Sequence, residues 1–116
     1  MSFPHRQWDV IKVRINPERD LDTHPAVIIS GDEICADARQ LRVNVLFGTK
    51  KVPALGKRAY GVLLNGADGL EFMTEVDCGF VHVVAKQKIV RQVGRVMVAR
   101  QREIMRKVIE CLRFRP

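Results

Sequence analysis

Two residues stand out for the chemistry their types allow. His24 carries the side chain whose ordinary pKa, about 6.5, lies nearest working pH, so it can give or take a proton. It precedes an apolar run, Ala26-Val27-Ile28-Ile29, that is closed by Ser30 and Gly31. β-Branched residues fill three of those four positions, which predicts a short buried strand. A polar group at a loop-to-strand junction has a rigid footing, and functional groups use such footings. Thr49 is the second residue. Its hydroxyl follows Gly48 at the end of the next strong strand pattern, and Lys50 and Lys51 come directly after it. Each also has a plain structural reading: His24 as a loop residue against Pro25, Thr49 as a turn residue, the lysines as a charged strand end.

The elements that must position these groups can be read in order. Trp8 to Ile15 alternates apolar with charged residues, the pattern of a strand with one face partly buried. Asn16 to Asp20 breaks it with turn chemistry, and the loop up to His24 carries Glu18, Arg19, Asp20 and Asp22. Ala26–Ser30 is the second strand. Asp32 to Arg39 predicts a short helix with Asp32 as its N-cap. Gln40 to Phe47 is the third strand, and Val52 to Lys57, with Pro53 and Gly56, is a mobile loop. Tyr60–Leu64 is the fourth strand, followed by a hairpin turn at Asn65-Gly66-Ala67-Asp68-Gly69. Leu70–Thr74 is a short extended piece. Val76–Ala85 is apolar on both sides, which predicts one central or doubly covered strand. Ile89–Val98 is the last, interrupted at Gly94. From Ala99 the period turns helical, with Ile104, Met105, Val108, Ile109, Cys111 and Leu112 at spacings of three and four. That is an amphipathic helix of about four turns that covers one sheet and leaves a basic face outward. Short strands with turn signals and one late helix predict a small antiparallel barrel, α+β and mainly β in content.

Composition narrows the classes. At 116 residues and 47% apolar, the chain predicts one domain over residues 1–116 with a packed core. No apolar run nears the roughly 18 residues of a membrane helix, and MSFPHRQWDV lacks a signal-peptide core, so the expected location is the cytoplasm with no membrane partner. Cys35, Cys78 and Cys111 show no metal-ligand spacing and read as reduced, small apolar residues. The net charge of +7 is uneven: residues 84–116 hold ten Lys or Arg against Glu103 and Glu110, a balance of +8. A basic third on a near-neutral body fits either a polyanionic partner or a solvated helix face.

Four stretches resemble the PemK/MazF family of bacterial toxin–antitoxin systems. Trp8-Asp9-Val10-Ile11-Lys12-Val13 with Asn16-Pro17 is similar to its opening strand. His24-Pro25-Ala26-Val27-Ile28-Ile29-Ser30 is similar to its R-P-A-V-V-x-S stretch, with His24 where the family usually has Arg. Val45-Leu46-Phe47-Gly48-Thr49 is similar to the strand that ends in Thr. Glu103 to Val108 follows the pattern of its final helix. One branch also uses an Arg and an Asp near Asp77–Gly79, which this chain does not match. The resemblance implies an SH3-like barrel with a C-terminal helix, a two-fold homodimer, and a partner antitoxin with an acidic flexible segment. It implies a metal-independent endoribonuclease of the mRNA interferase type, with no cofactor, that cleaves single-stranded RNA by attack of a 2′-OH on the adjacent phosphate.

On that resemblance the residues take roles. His24 is the acid or base, and Thr49, helped by backbone N–H groups around a flexible Gly48, holds a phosphate oxygen. Lys50, Lys51 and Arg19 neutralise the phosphate. Glu18 and Asp20 are weaker candidates for a base, and Ser30 is either a site residue or a cap on its own strand end. His82 reads as a core or edge residue, His5 as idle, Glu75 and Asp77 as surface acids, and Trp8 as a core or dimer-edge anchor. Two other readings use the same fold: a non-catalytic nucleic-acid- or protein-binding barrel, and a toxin that blocks a topoisomerase.

Overall fold

A computed structural model of the chain describes residues 2–16, 23–50 and 60–113. The strands are β1 (Asp9–Val13), β2 (His24–Ile28), β3 (Arg42–Thr49), β4 (Gly61–Leu64), β5 (Thr74–Asp77), β6 (His82–Ala85) and β7 (Ile89–Arg95). The helices are α1 (Asp32–Ala36) and α2 (Val98–Cys111). All strand pairs are antiparallel, in the order β4-β5-β3-β2-β1-β7, with β6 beside the first half of β3. Strand β3 is the hub. Its residues 45–47 pair with β2, while its other edge takes β6 along Arg42–Val45 and then β5 at Gly48 and Thr49. The expected mainly-β layout with a C-terminal helix is present. The sheet curls but does not close by strand pairing, because β4 and β7 stand at its two ends.

The strands bury both faces. Val10, Val27, Leu46, Val62, Leu64 and Val76 enter one cluster with Ile104 of α2. Ile11, Val13, Ala26, Ile28, Val43, Val45 and Val84 enter the other, with Cys35 of α1. This corrects the one-faced reading of the first strand: the Val10-Ile11 break in its alternation is one residue for each core. The single strand expected over Val76–Ala85 is in fact two. Asp77 accepts a 2.9 Å hydrogen bond from the Gly79 backbone N–H, an Asx turn that ends β5, and β6 is an exposed edge rather than a covered centre. The extended piece expected over Leu70–Thr74 is broken by a bend at Glu71 and Phe72, and strand structure begins at Thr74. Asp32 is not the N-cap of α1. Gly31 holds that place, and Asp32 instead accepts from the Gln7 backbone N–H at 3.0 Å. Residues 17–22 and 51–59, which include most of the loop that leads to His24 and the loop expected to be mobile at Val52–Lys57, lie outside the described residues.

Helix α2 runs along the open edge of β4. Lys107 Nζ donates to the Gly61 carbonyl at 2.7 Å, and Arg100 Nε donates to the Leu63 carbonyl at 3.1 Å. The outward face is not simply basic, since Val98, Met105, Ile109 and Leu112 are exposed along it beside Arg102 and Arg106. The helix has no side-chain cap of its own. Asp68, fully buried in the β4–β5 connection, accepts from the Met97 N–H at 2.9 Å and pairs with Arg100 at 3.4 Å. The oxygen that faces Arg100 also accepts from the Asn65 N–H, while the Asn65 side chain accepts from Ala67, a reciprocal capping box inside the turn.

Two outcomes are expected from this packing. Asp68→Ala strands the Met97 N–H and the Arg100 guanidinium together, so urea unfolding should show a loss of about 3 kcal/mol. The cysteines should separate by reactivity. Burial pushes the Cys78 thiol up to about 12 and raises the Cys35 thiol, whereas Cys111 is only half-buried. Iodoacetamide at neutral pH should therefore label Cys111 first by mass spectrometry, with Cys35 and Cys78 reacting only on unfolding.

Candidate active site

The register of β2 against β3 brings the two chemical residues together. Ala26 lies opposite Phe47, Val27 opposite Leu46 and Ile28 opposite Val45. Continued by two residues, the same register sets Pro25 against Gly48 and His24 against Thr49. The glycine leaves room for Thr74 of β5 on the opposite edge of β3. A Cβ at Gly48 would meet the Thr74 methyl at 2.5 Å and the Pro25 ring at 3.8 Å. On the other side of β3, Thr49 pairs directly with Glu75. His24, Thr49 and Glu75 thus occupy one row across three strands. Opposite residues in an antiparallel pair share a face, with Cβ atoms about 4.5–5.5 Å apart. His24 and Thr49 are half-buried, and Glu75 is 1% exposed. Each of the three has a polar, charged or ring contact in the structure.

That row can do acid–base chemistry on an anion. It sets a proton carrier one strand from a hydroxyl donor, on ladder backbone rather than on a loop, while Glu75 stands one strand beyond with its carboxylate turned toward Gly61 of β4. Strand β3 runs through Gly48 and Thr49, two residues beyond the expected end at Phe47. Gly48 is therefore a packing residue in a ladder, not the flexible donor site expected from the sequence.

The other expected site residues fall elsewhere. Ser30 sits past the far end of β2, roughly 20 Å along the strand from His24. Its hydroxyl accepts from the Asn44 N–H at 2.7 Å and its carbonyl accepts from the Cys35 thiol, so it is a strand-end fastener. Lys50 is exposed, with its ammonium 4.9 Å from the centre of the Phe72 ring. Arg19, Lys51, Glu18 and Asp20 lie outside the described residues. The basic C-terminal third is half committed to the fold. Lys86 donates to the carbonyls of Ile34, Cys35 and Asp37, and Lys88 to that of Ile15. Arg95 pairs with buried Asp9 at 3.1 Å, while Arg100 and Lys107 hold α2 to β4. A cavity of about 760 Å³ beside Phe3, Cys35, Leu41 and Lys86 is remote from the row. Among the described residues no group of three or more His, Cys, Asp or Glu is placed to hold a metal ion. No described helix is long and apolar enough to cross a membrane.

Residues 6–112 match the family described as the PemK-like, MazF-like toxin of type II toxin–antitoxin systems. The chain belongs to this family. The toxin's fold is similar to that of an endoribonuclease in complex with its cognate antitoxin from a mycobacterial species. The TM-score is 0.75 at 16% identity, over 97% of this chain and 95% of that one. It is also similar to the Mycobacterium tuberculosis toxin MazF-mt6, with a TM-score of 0.70 at 16% identity, over 90% and 95% of the two chains. A third likeness is to the MazE–MazF structure from Deinococcus radiodurans, with a TM-score of 0.74 at 11% identity, over 96% and 97%. No curated protein matches in sequence. At these identities the structural likeness speaks to fold.

Glu75, a surface acid by its sequence pattern, is 1% exposed. Its signal was the odd spacing of Thr74-Glu75-Val76, where one polar residue stands between two that point to the core. Only the Thr49 pairing makes it a member of the site. His82 is an exposed edge residue whose ring meets that of Phe47 edge-on at 5.0 Å. Trp8 packs against the first core cluster and takes a left-handed backbone conformation, φ 74°, at the entry to β1. His5 is half-buried, with its pKa lowered by burial and partly restored by Asp9.

Ser30→Ala is expected to lower stability by about 1 kcal/mol in denaturant titration, through loss of the Asn44 hydrogen bond. The imidazole resonances of His24 in an NMR spectrum should not move, because Ser30 is outside the site.

Proposed function

We propose that this toxin is a metal-independent endoribonuclease that cleaves single-stranded RNA, with the row of His24 and Thr49 as its catalytic centre. The observation that carries the reading is the register that sets a half-buried imidazole beside a half-buried hydroxyl at the ends of two central strands. Membership of the toxin family and folds shared with proteins described as endoribonucleases support it.

In this reading His24 takes the proton from a ribose 2′-OH as the oxygen attacks the adjacent phosphorus. The P–O5′ bond breaks on the opposite side, and the departing oxygen takes a proton from a water molecule there. The products are a 2′,3′-cyclic phosphate and a 5′-OH end. Thr49 donates its hydroxyl to a non-bridging oxygen, whose charge grows in the transition state. Glu75 is too buried to touch RNA, and its carboxylate lies against Gly61 of β4. Arg19, Lys50 and Lys51 supply positive charge around the strand ends.

The same reading makes residues 1–116 one PemK/MazF-like domain that acts in the cytoplasm as a homodimer. An antitoxin with an acidic flexible segment holds it in check. The exposed apolar line Val98, Met105, Ile109 and Leu112 on α2 is the kind of surface that such contacts cover.

A mixed-sequence single-stranded RNA incubated with the protein in EDTA tests the reading. The wild type should release fragments with cyclic phosphate ends. His24→Ala should slow cleavage by about 10²–10⁴-fold, the usual worth of a general base. Thr49→Ala should slow it by about 10²-fold or more, as for loss of an oxyanion donor. Cleavage by folded His24→Ala at the wild-type rate would remove His24 from the mechanism.

A further inference from the structure

We propose that a basic cavity on the opposite face of the sheet from His24 binds one nucleotide of the single-stranded RNA, its phosphate held by Lys12, Lys50 and Arg91 and its base laid on Phe72. The proposal rests on the RNA reading above and adds to it a site outside the His24–Thr49 row.

The cavity follows from strand alternation. Lys12 in β1 lies directly between Pro25 of β2 and Arg91 of β7. Its neighbour Val13 pairs with His24, so Lys12 and Arg91 share the face that His24 does not. Lys50 follows Thr49, and its ammonium reaches over the Phe72 ring at 4.9 Å. Lys12, Lys50, Arg91, Phe72 and Thr74 line one cavity of about 190 Å³, with Glu71 also in its wall. That is smaller than the roughly 300 Å³ at which sites for drug-sized ligands begin, and it suits a phosphate with its first waters.

Electrostatics points the same way. Lys12 is half-buried, and its pKa is lowered first by burial and then by the charges of Lys50 and Arg91, with Glu71 opposing. Gathering three cations around one carboxylate destabilises the empty fold and creates a field that an anion relieves. Phe72 decides which anion. Its ring is 53% exposed at the cavity mouth and is covered by a cation on one side. A flat aromatic surface interleaved with cations is the chemistry of single-stranded nucleic acid, where bases stack while phosphates pair. An acidic peptide would use the cations and leave the ring idle. Pro25 and Lys50 are each one residue from His24 and Thr49, so one RNA strand can pass from the cavity around the strand ends to the cleavage row.

The test uses the full chain and a fluorescein-labelled, mixed-sequence 2′-O-methyl RNA of twelve nucleotides, which lacks the attacking hydroxyl and cannot be cleaved. Anisotropy titrations are run across a series of salt concentrations. Lys12→Met and Arg91→Gln should each make the log–log salt slope shallower by about 0.7, the value for one phosphate contact on a single strand. Phe72→Leu should weaken binding about tenfold with the slope unchanged. Lys12→Arg should keep the wild-type slope. Arg91 is exposed, so Arg91→Gln reports even where Lys12→Met disturbs the fold. Wild-type affinity and slope in folded Lys12→Met and Arg91→Gln would overturn the proposal. So would loss of binding to a labelled poly-glutamate peptide with RNA binding intact, which would make the cavity a site for protein carboxylates. The EDTA cleavage assay keeps the two readings apart. Binding that depends on Lys12 and Phe72 without any wild-type cleavage sustains the cavity and removes only the nuclease. Cleavage with binding indifferent to these residues removes only the cavity.

Discussion

The fold depends on a place where two stretches of backbone cross with almost nothing between them. A Cβ on Gly94 would fall on the Asp68 carbonyl oxygen and lie 2.6 Å from the Gly69 Cα. A Cβ on Gly69 would meet the Val93 carbonyl oxygen and the Gly94 Cα in return, and Gly69 itself has φ +91°. Strand β7 thus lies against the β4–β5 connection through two residues that have no side chains. The strand order leaves β4 and β7 at opposite ends of the sheet. This crossing brings those ends together by contact of peptide groups rather than by a ladder of hydrogen bonds. The glycine that interrupts the last strand pattern is there because only glycine leaves room for the second chain.

Asp68 makes that contact specific. A buried carboxylate is costly unless its oxygens are satisfied, and here backbone N–H groups from two segments and one guanidinium satisfy them. The groups belong to the turn itself and to the start of α2. The same carboxylate therefore fixes the turn, neutralises Arg100 and occupies the positive end of the helix. With its first turn fixed, α2 can insert Ile104 into the core and run along β4. Strand β4 holds β5, and β5 holds Glu75 opposite Thr49. The candidate site is two strand pairings from the crossing on either side, through β4–β5 and β5–β3 to Thr49 and through β7–β1 and β1–β2 to His24, and each pairing has one register that keeps apolar residues inside.

Much of this was legible in the sequence, for reasons that differ by element. Strands β2 and β3 and helix α2 announce themselves through local pattern: a β-branched run, strict alternation, and a change of period to three and four. The position of His24 before one strand and Thr49 at the end of another could be read the same way. Their adjacency could not, because register is a property of a pair. The Val76–Ala85 pattern misled for a physical reason. Its apolar residues continue through Asp77-Cys78-Gly79, while an Asx turn, which needs only one carboxylate and one free N–H, reverses the chain there. Glu75 and Lys12 were hidden because an isolated charge in an apolar run looks like a surface position until its strand neighbours are known. The basic third misled in the opposite sense. Lys86, Lys88, Arg95, Arg100 and Lys107 end on carbonyls or carboxylates of the fold itself, which composition has no means to reveal.

The His at the head of β2 has a consequence for how the site divides its labour. The resemblance carried by the sequence implies Arg at that place, which is a permanent cation and a fork of donors but a poor proton carrier. A His reverses those properties: it exchanges protons readily and is charged only part of the time. Replacing one by the other at the same strand end gains a base and loses a fixed charge beside the phosphate. The fixed charge must then come from other strands. On the proposed reading it comes from Arg19, Lys50 and Lys51 at the strand ends, while Lys12 and Arg91, side by side on β1 and β7, hold a neighbouring phosphate on the other face. Proton transfer and anion binding would then be separated by the thickness of one sheet. The backbone of β2 and β3 would serve both, with alternate residues turned to opposite faces. That arrangement accounts for a half-buried lysine in β1 that packing alone would replace with an apolar residue.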